Sequence, residues 1–439
     1  MEQKDSERPA KGCWKKGALH VHTLWSDGRS LPEVALETYR GLGYDFVCLT
    51  DHNCVQDDPN VWCQVQREEG PWPPQLSEQE YKRSLAMVQC GLEEKLVFVR
   101  RHVRLRTFAE LRKLFERDDF LVIPGEESTS MFLEMAEDDA LHDYHFTTFN
   151  SPQFISAFVT NQERWNAVGR FNLDVRLERP TNGRTVFSRI LSYYQATAPK
   201  DSLLIVAHPF WHLWDVDPRL LIDFPAIRHF EVCNSGTQES VHKDMFDVEK
   251  YWDFILAHRI DAGAPLLYGV ASDDAHFYDE KRIHDICGCD TGWVMVRSTG
   301  PFTAAAMAQA IGDGDFYAST GVYLKEIVFN QRTRTLEVEV QPAPGEDYRI
   351  DFITTQKGYD RSIVEREFPY SDPRFKRRLP IVPKDVGQVV KSISGVSGKY
   401  QMQPGDLYVR AVVTSSSPSC FPQRNCYPAH KCAWVQPHR

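Results

Sequence analysis

The sequence predicts an α/β fold built on mostly parallel strands. Short apolar, β-branched runs recur along roughly the first 320 residues, and helix-like stretches of suitable length lie between them. Runs of this kind are typical of buried parallel strands. Ionisable residues stand where several of the runs end, and the carboxyl ends of parallel strands form one face of such folds. The alternation therefore implies a parallel sheet or an α/β barrel.

The predicted elements follow from composition and spacing. In the first predicted helix, Ser30 is expected at the N-cap, and Gly41 or Gly43 lies near the end. The strand-like runs are 18–23, 45–52, 120–127, 143–150, 203–209, 229–234, 267–276 and 292–297, and the helix-like stretches are 30–43, 107–119 and 185–198.

Two regions stand apart from this alternation. Residues 54–106 are interpreted as an insertion near the mouth of the barrel, partly helical over 80–95, or as an ordinary long surface excursion. From Val322 onward the pattern has a period of two, which predicts a small antiparallel β-domain over 322–439. Residues 1–16 form a charged N-terminal tail, and 17–321 the main unit.

Composition excludes several classes of protein. A net charge of −10 over 439 residues argues against a general nucleic-acid binder, although a local cationic site could still take an anionic substrate. Eleven irregularly spaced cysteines favour free thiols in a reducing compartment. The N-terminus lacks the apolar region of a signal peptide and no stretch would span a bilayer, so we expect a cytoplasmic protein without a membrane partner. A leader trimmed from the sequence would give the same pattern, and the oligomeric state is left open.

Histidines and acids at the ends of the runs are candidate metal ligands. His20 and His22 are two residues apart, so on a strand both imidazoles point the same way and can reach one ion. Burying Asp274 and His276 at a strand end is costly unless they are paired or bind a cation. Taken singly, each position has an ordinary structural explanation, such as a turn for Asp27. Their joint occurrence in order predicts a metal site, with the remaining candidates His52, Glu127, His145 and His208.

The ordered set of HxH, SDG, TDH, PGEE, a middle histidine, AHP and SDDAH resembles the polymerase and histidinol phosphatase (PHP) family of metal-dependent hydrolases. The likeness covers roughly residues 17–320. The runs "LYGVASDDAHFY", "GWVMVR" and "GDFYASTGVYL" are most similar to the branch named after carbaryl (carbamate) hydrolases, whose members often end in a β-rich tail. The resemblance implies a distorted (β/α)7 barrel with up to three divalent metals at the C-terminal ends of its strands.

The resemblance also implies a role for each candidate. Glu127 is preferred to Glu126 because the family pattern is Gly-x-Glu, and Asp274 to Asp273 because the family ligands are two residues apart. Asp51 and Asp273 are then candidates to orient imidazoles or to move a proton. The first metal would take His20, His22, Glu127 and Asp274; Glu127 would bridge to a second held by His145 and His208; and Asp27, His52 and His276 would hold a third.

The donor set suggests hydrolysis. Six histidines and three carboxylates suit two or three ions of Zn, Mn or Fe, and a metal-bridging hydroxide would be the nucleophile. The leading hypothesis is a phosphoesterase acting on small phosphate mono- or diesters. The alternative is a carbamate, amide or carboxylic-ester hydrolase, favoured if Trp211, Trp214 and Trp252 line a pocket rather than the core; His212 is a further pocket candidate. A non-catalytic metal-binding module is least favoured, because none of the nine ligand positions is missing.

Overall fold

A computed structural model describes most of the chain, with seven α-helices and 23 strands in the described part. The described residues are 14–66, 76–132, 142–152, 182–210, 216–236, 247–281, 283, 287–369, 376–420 and 428–439. No helix among them combines the length and the apolar character needed to cross a membrane.

Helices lie among the strands as far as β14, and only strands follow. The first part contains β1 (Trp14–Ala18), α1 (Pro32–Gly41), β2 (Phe46–Leu49), β3 (Trp62–Gln66), β4 (Leu76–Ser77), α2 (Glu78–Met87), β5 (Glu94–Val97), β6 (Arg100–Arg104), α3 (Phe108–Phe115), β7 (Leu121–Pro124), β8 (Glu127–Phe132) and β9 (His142–Phe149). The middle part contains α4 (Gly183–Thr197), β10 (Leu203–Val206), α5 (Pro218–Asp223), β11 (His229–Asn234), α6 (Val248–Asp261), β12 (Tyr268–Ser272), β13 (Trp293–Arg297), α7 (Ala304–Asp313) and β14 (Phe316–Ser319). The last part contains β15 (Leu324–Asn330), β16 (Thr335–Val340), β17 (Tyr348–Thr354), β18 (Val364–Pro369), β19 (Lys376–Ile381), β20 (Gln388–Ser394), β21 (Ser397–Gln401), β22 (Val409–Pro418) and β23 (His430–His438).

Two sheets carry the strands whose ends hold the candidate ligands. The nine-stranded sheet has the order β20-β17-β22-β23-β14-β13-β1-β2-β7, and the five-stranded sheet has the order β12-β11-β10-β9-β8. Parallel pairing joins β1, β2 and β7 in the first and β10, β11 and β12 in the second. Side chains from both sheets, among them Phe46, Ile123, Ile205 and Val270, share one buried apolar cluster. The sheets therefore pack face to face.

The described residues do not show the expected distorted (β/α)7 barrel, and no closed barrel is found among them. The strands next to the candidate ligands lie in two separate sheets, which the isolated bridges Val21–Ala275 and His52–Glu127 connect near those ligands. The first sheet ends at β7, whose last residue Pro124 has no N–H to extend a ladder. A Cβ on Gly125 would lie 2.3 Å from the carbonyl oxygen of Thr148, so glycine allows the chain to cross closely to the second sheet.

Two local predictions need correction. The strand expected over 18–23 is shifted, because β1 ends at Ala18. Beyond it, the carbonyl oxygen of Val21 accepts from the Thr50 backbone N–H at 2.9 Å, and the Val21 N–H donates to the Thr50 hydroxyl at 2.8 Å. The predicted N-cap Ser30 is also wrong. Leu31 is the N-cap of α1, without a side-chain hydrogen bond, and Pro32 supplies the preset φ of the first helical turn.

The regions outside the alternation form smaller sheets or extend the first one. Residues 54–106 contain α2 and a four-stranded sheet of order β4-β3-β6-β5. Strand β23 pairs with β14, so β17, β20 and β22 continue the nine-stranded sheet, while β15, β16 and β21 form a separate three-stranded one. The domain limits at 16/17 and 321/322 stay a prediction.

Candidate metal centre

The nine predicted ligands converge on one buried place between the two sheets. They come from the segments after β1, β2, β10 and β12 and from β8 and β9, and no side chain is more than 18% exposed. His208 and Asp274 have positive φ values of 22° and 51°, so two of these loops hold a ligand in an uncommon backbone conformation. The ligand atoms fall into four overlapping groups within 4.8 Å: His22, Asp27, His52 and His276; His20, His22 and Glu127; His20, His208 and Asp274; and His52, Glu127 and His145.

The Glu127 carboxylate lies at the centre of the cluster. Its position at the first residue of β8, directly after the crossing between the sheets, lets it face both of them. Five imidazole nitrogens lie within 3.2 Å of its oxygens: Nε2 of His20, Nε2 of His22 and Nδ1 of His52 at Oε2, and Nδ1 of His145 and Nε2 of His208 at Oε1. One carboxylate thus reaches ligands of all the overlapping groups, as a bridging ligand must.

Asp274 faces Glu127 across His20 and His22. Its Oδ1 is 3.3 Å from Nε2 of His20 and 3.2 Å from Nε2 of His22. Both Nε2 atoms are buried, and neither has a hydrogen-bond partner of good geometry in the described part of the chain. A buried polar atom without a hydrogen bond is costly, and a cation between the two carboxylates would give both nitrogens a ligand role. The residues present therefore fit a metal ion at this point.

Asp27 contacts the histidines on the more exposed side of the cluster. Its Oδ2 is 3.1 Å from Nε2 of His276 and 3.4 Å from Nε2 of His52, and its Oδ1 is 3.4 Å from Nδ1 of His22. The side chains of His52 and His276 are 14% and 18% exposed, more than those of His20 and His22. Among the described residues, the cluster is therefore most exposed to solvent on this side.

Opposite charges shift the pKa values throughout the site. Burial disfavours a charged His52 ring, but the carboxylates of Asp27 and Glu127 raise its pKa to about 10. Burial likewise opposes ionisation of Glu127, yet the neighbouring imidazoles, His52 foremost, hold its pKa well below the usual range. At His145 burial prevails and lowers the pKa to about 4. Without metal, protons on imidazoles balance the carboxylates, and metal ions would displace those protons.

The site contains one buried acid that sequence reasoning missed. Glu231, in the middle of β11, accepts from Nδ1 of His20 at 2.8 Å, from the Ser272 hydroxyl at 2.6 Å and from the His208 backbone N–H at 2.7 Å. It thereby fixes the ring orientation of one ligand and the backbone of another. An acid inside the buried run "HFEVCN" was the available signal, because such an acid requires a partner.

Asp51 and Asp273 hold loops rather than imidazoles. Asp51 accepts from the backbone N–H of Thr23 and the hydroxyl of Ser26, both at 2.7 Å, and so fixes the segment that carries His22 and Asp27. Asp273 accepts from the Tyr39 hydroxyl and from the 290–292 segment, including the Thr291 hydroxyl at 2.7 Å. The contacts favour positioning roles for both carboxylates. That these nine residues bind metal and these two assist them stays a prediction.

The structure describes only Trp252 of the residues suggested for an aromatic pocket. Trp211, His212 and Trp214 lie outside the described residues. Trp252 is fully buried in the apolar core, packs against Phe230 at 5.7 Å between ring centroids and donates to the carbonyl of Leu267. Trp252 is therefore a core residue.

Comparisons with known proteins give only distant likenesses. No family model matches the chain, and no curated protein matches its sequence. A two-domain protein containing a predicted PHP-like metal-dependent phosphoesterase from Bacteroides vulgatus is 14% identical, with a TM-score of 0.38, over 93% of this chain and 95% of that one. A putative metal-dependent phosphoesterase from Bifidobacterium adolescentis is 12% identical, with a TM-score of 0.32, over 62% of this chain and 90% of that one. An amidohydrolase from Chromobacterium violaceum with bound sulfate is 15% identical, with a TM-score of 0.26, over 59% of this chain and 87% of that one. At these scores none of the three carries an argument about this chain.

Proposed function

We propose that the protein is a metal-dependent hydrolase of the PHP type that acts on small phosphate mono- or diesters. The observation that carries the proposal is the convergence of nine ligand side chains from six segments onto one buried place. Stability alone gives no reason to bury six imidazoles around three carboxylates, because each buried charge needs its own partner.

The ligand sets would divide the cluster as the family resemblance implies. A first ion would be held by His20, His22, Asp274 and Glu127. A second would be held by His145, His208 and the same Glu127 carboxylate. A third would be held by Asp27, His52 and His276. Imidazole with carboxylate suits Zn, Mn or Fe, so the proposed content is two or three such ions. When bound, these ions lower the pKa of coordinated water to about 7 and polarise the bond to be cleaved.

The other residues prepare the cluster for this chemistry. Glu231 accepts from Nδ1 of His20, which leaves Nε2 of that ring as the ligand atom. Asp51 and Ser26 hold the segment bearing Asp27, and Ser26 donates to Asp27 at 3.2 Å. Three divalent ions less three carboxylates would leave a charge of about +3, which favours an anionic substrate such as a phosphate ester. The alternative, a carbamate, amide or carboxylic-ester hydrolase, rests on the resemblance to the carbaryl-hydrolase branch.

A substrate panel with metal removed and restored tests the proposal. The purified protein is stripped with a chelator, reloaded separately with Zn²⁺, Mn²⁺ or Fe²⁺, and assayed on aryl phosphomonoesters, bis-aryl phosphodiesters, aryl carboxylic esters and aryl carbamates. The expected result is phosphate-ester turnover that is lost on chelation and restored by at least one metal. Turnover of the carbamates or carboxylic esters alone would favour the alternative. Turnover that survives complete metal loss would contradict the metal-dependent mechanism.

A further inference from the structure

Part of the 54–106 insertion shares a core with the loop that carries Asp27. Leu24 and Trp25 of that loop lie in one buried apolar cluster with side chains of the insertion, namely Cys63, Leu76, Tyr81, Val103 and Leu105. Each of these side chains is at most 6% exposed. Burial of this apolar area holds the loop against the insertion.

A hydrogen bond also ties the Asp27 loop to the insertion. The indole N–H of Trp25 donates to the carbonyl oxygen of Arg106 at 3.1 Å. Arg106 is itself fixed, because its guanidinium donates to the buried carboxylate of Glu33 on α1 and to the carbonyl of Gly91 at 2.8 Å. The end of the insertion is therefore a firm support for the segment just before Asp27.

Tyr278 joins the segment of His22 to that of His276. Its side chain is fully buried, and its hydroxyl donates to the carbonyl oxygens of His22 at 2.6 Å and of Ala275 at 2.9 Å. The backbone N–H of His22 donates to the same Ala275 oxygen at 2.9 Å, so His22 keeps a bond to this segment that does not involve the hydroxyl. The hydroxyl thus bridges the backbones of two ligand-bearing segments.

Arg83 on α2 holds Tyr278 from the insertion. Its Nη2 donates to the carbonyl oxygen of Tyr278, and its Nη1 donates to the carboxylate of Glu80 at 3.0 and 3.3 Å. The carboxylate orients the guanidinium, and the guanidinium fixes the Tyr278 backbone. The Arg83 side chain is 21% exposed, so it can be changed without opening the core.

The three ligands proposed for the third ion share one relation to the insertion. Asp27 follows Trp25 by two residues, and His276 precedes Tyr278 by two residues. The insertion itself begins at residue 54, two residues after His52. A ligand on a loop must be held within about 0.5 Å of its place, so bonds this close in sequence decide whether an ion is bound well.

Ligands of the other two ions are supported from a different part of the fold. Glu231 on β11 accepts from the ring of His20 and from the backbone N–H of His208. Glu127 and His145 lie on the paired strands β8 and β9. The metal centre thus has two supports, the five-stranded sheet and the insertion.

We propose that the 54–106 insertion is part of the metal centre and that Arg83 and Tyr278 are positioning residues for its third ion. The inference rests on the metal centre proposed above. Arg83 fixes the backbone of Tyr278, and Tyr278 in turn fixes the segment of His276. Affinity for the third ion therefore depends on the insertion, whereas affinity for the first two ions does not.

Stepwise metal titration tests this selectivity. The stripped full chain is titrated with Mn²⁺ against a competing chelator, and Asp27→Asn identifies the step of the third ion. Arg83→Ala should raise the dissociation constant of that step about 10- to 100-fold and leave the other two within about threefold. Arg83→Lys keeps a cationic donor and should recover most of the affinity. Lys82→Ala removes the neighbouring cation on α2, which is 70% exposed, and should bind like the native chain.

Tyr278→Phe repeats the test without a change of charge. The ring stays in the core and only the hydroxyl is lost, so the same step should weaken, with circular dichroism to confirm folding. Native affinities in both Arg83→Ala and Tyr278→Phe would overturn the inference and leave the metal centre intact. Equal weakening of all three steps would also overturn it, because it would indicate a general loss of structure. A native chain with two ions and no third would overturn the inference alone, and one that binds no ion would contradict the metal centre itself.

Discussion

Two buried charged clusters in this protein are built on opposite plans. Arg410 on β22 is fully buried and donates two hydrogen bonds of 2.7 Å to Asp253 on α6 and one of 3.1 Å to Glu249. The Tyr408 hydroxyl completes the shell of Asp253 at 2.6 Å. In this cluster one cation is matched by the carboxylates around it, so the arrangement is complete without any added group.

The histidine cluster is not complete in the same way. Imidazole nitrogens crowd around the carboxylate of Glu127, and among the described residues Nε2 of His20 and of His22 have no hydrogen-bond partner of good geometry. The two clusters represent two kinds of buried charge. A structural cluster pairs its own donors and acceptors, whereas a candidate ligand cluster leaves buried nitrogens that a cation would satisfy.

Breaking the structural cluster should have the largest effect on stability. Asp253→Ala leaves the buried Arg410 guanidinium without its main partner, so the free energy of unfolding should fall by about 3–5 kcal/mol. Metal content per folded chain should not change. Urea unfolding with metal analysis of the folded fraction measures both. Glu339→Ala removes a half-exposed contact to Lys325 and is the control, expected to cost less than about 1 kcal/mol. A stability loss for Asp253→Ala no larger than the control would contradict this account of the cluster.

Weakening the support of the ligand cluster should affect metal binding instead. In Glu231→Gln the side chain keeps its shape but can no longer accept with both oxygens from His20, Ser272 and the His208 backbone. Metal affinity should fall about 10- to 100-fold, as measured by competition with a chelating dye. Ser272→Ala removes one neutral donor to the same carboxylate and should lower affinity less than about fivefold. An unchanged affinity in Glu231→Gln would show that Glu231 has no part in metal binding.

The pH dependence of the metal-free protein should separate the clusters further. The pKa of His52 rises from 6.5 to about 10 on folding, so its contribution to stability is complete below pH 6.5 and is lost as the pH rises through 10. Urea midpoints measured with chelator should therefore fall between pH 6.5 and 9, and less steeply in His52→Gln. Arg410, whose pKa is raised, stays charged throughout and adds no slope. With metal bound the trend should reverse, because binding requires neutral imidazoles. Equal slopes in the native chain and His52→Gln would contradict this prediction.

The sequence predicted the nine convergent side chains from their order along the chain, because most of them stand near the ends of apolar runs. It gave the wrong reason for two of them, since His20 and His22 lie beyond β1 and are positioned by backbone bonds of the segment rather than by strand alternation. Glu231 escaped detection because its partner His20 is 211 residues away, a distance that no local pattern encodes.

A local sequence pattern also cannot predict which sheet a strand joins. A period of two predicts the C-terminal strands, but which edge they extend depends on long-range pairing, such as that of β23 with β14. The first sheet ends at Pro124, and Gly125 lets the chain cross to the second sheet. Glycine is needed there because the Thr148 carbonyl oxygen lies close, a contact that the local sequence does not reveal.

Metal content is the most direct test of the proposed metal centre. Native protein, Glu127→Gln and Glu126→Gln are loaded with Mn²⁺ or Zn²⁺, passed through gel filtration and analysed for metal per folded chain, with circular dichroism to confirm folding. The native chain should retain two or three ions and Glu127→Gln at least one fewer, because it loses the bridging carboxylate. Glu126→Gln, a neighbouring buried acid outside all four ligand groups, should match the native chain. A native chain that retains no ion, or a Glu127→Gln variant that retains the full native content, would contradict the claim that this cluster is a metal centre.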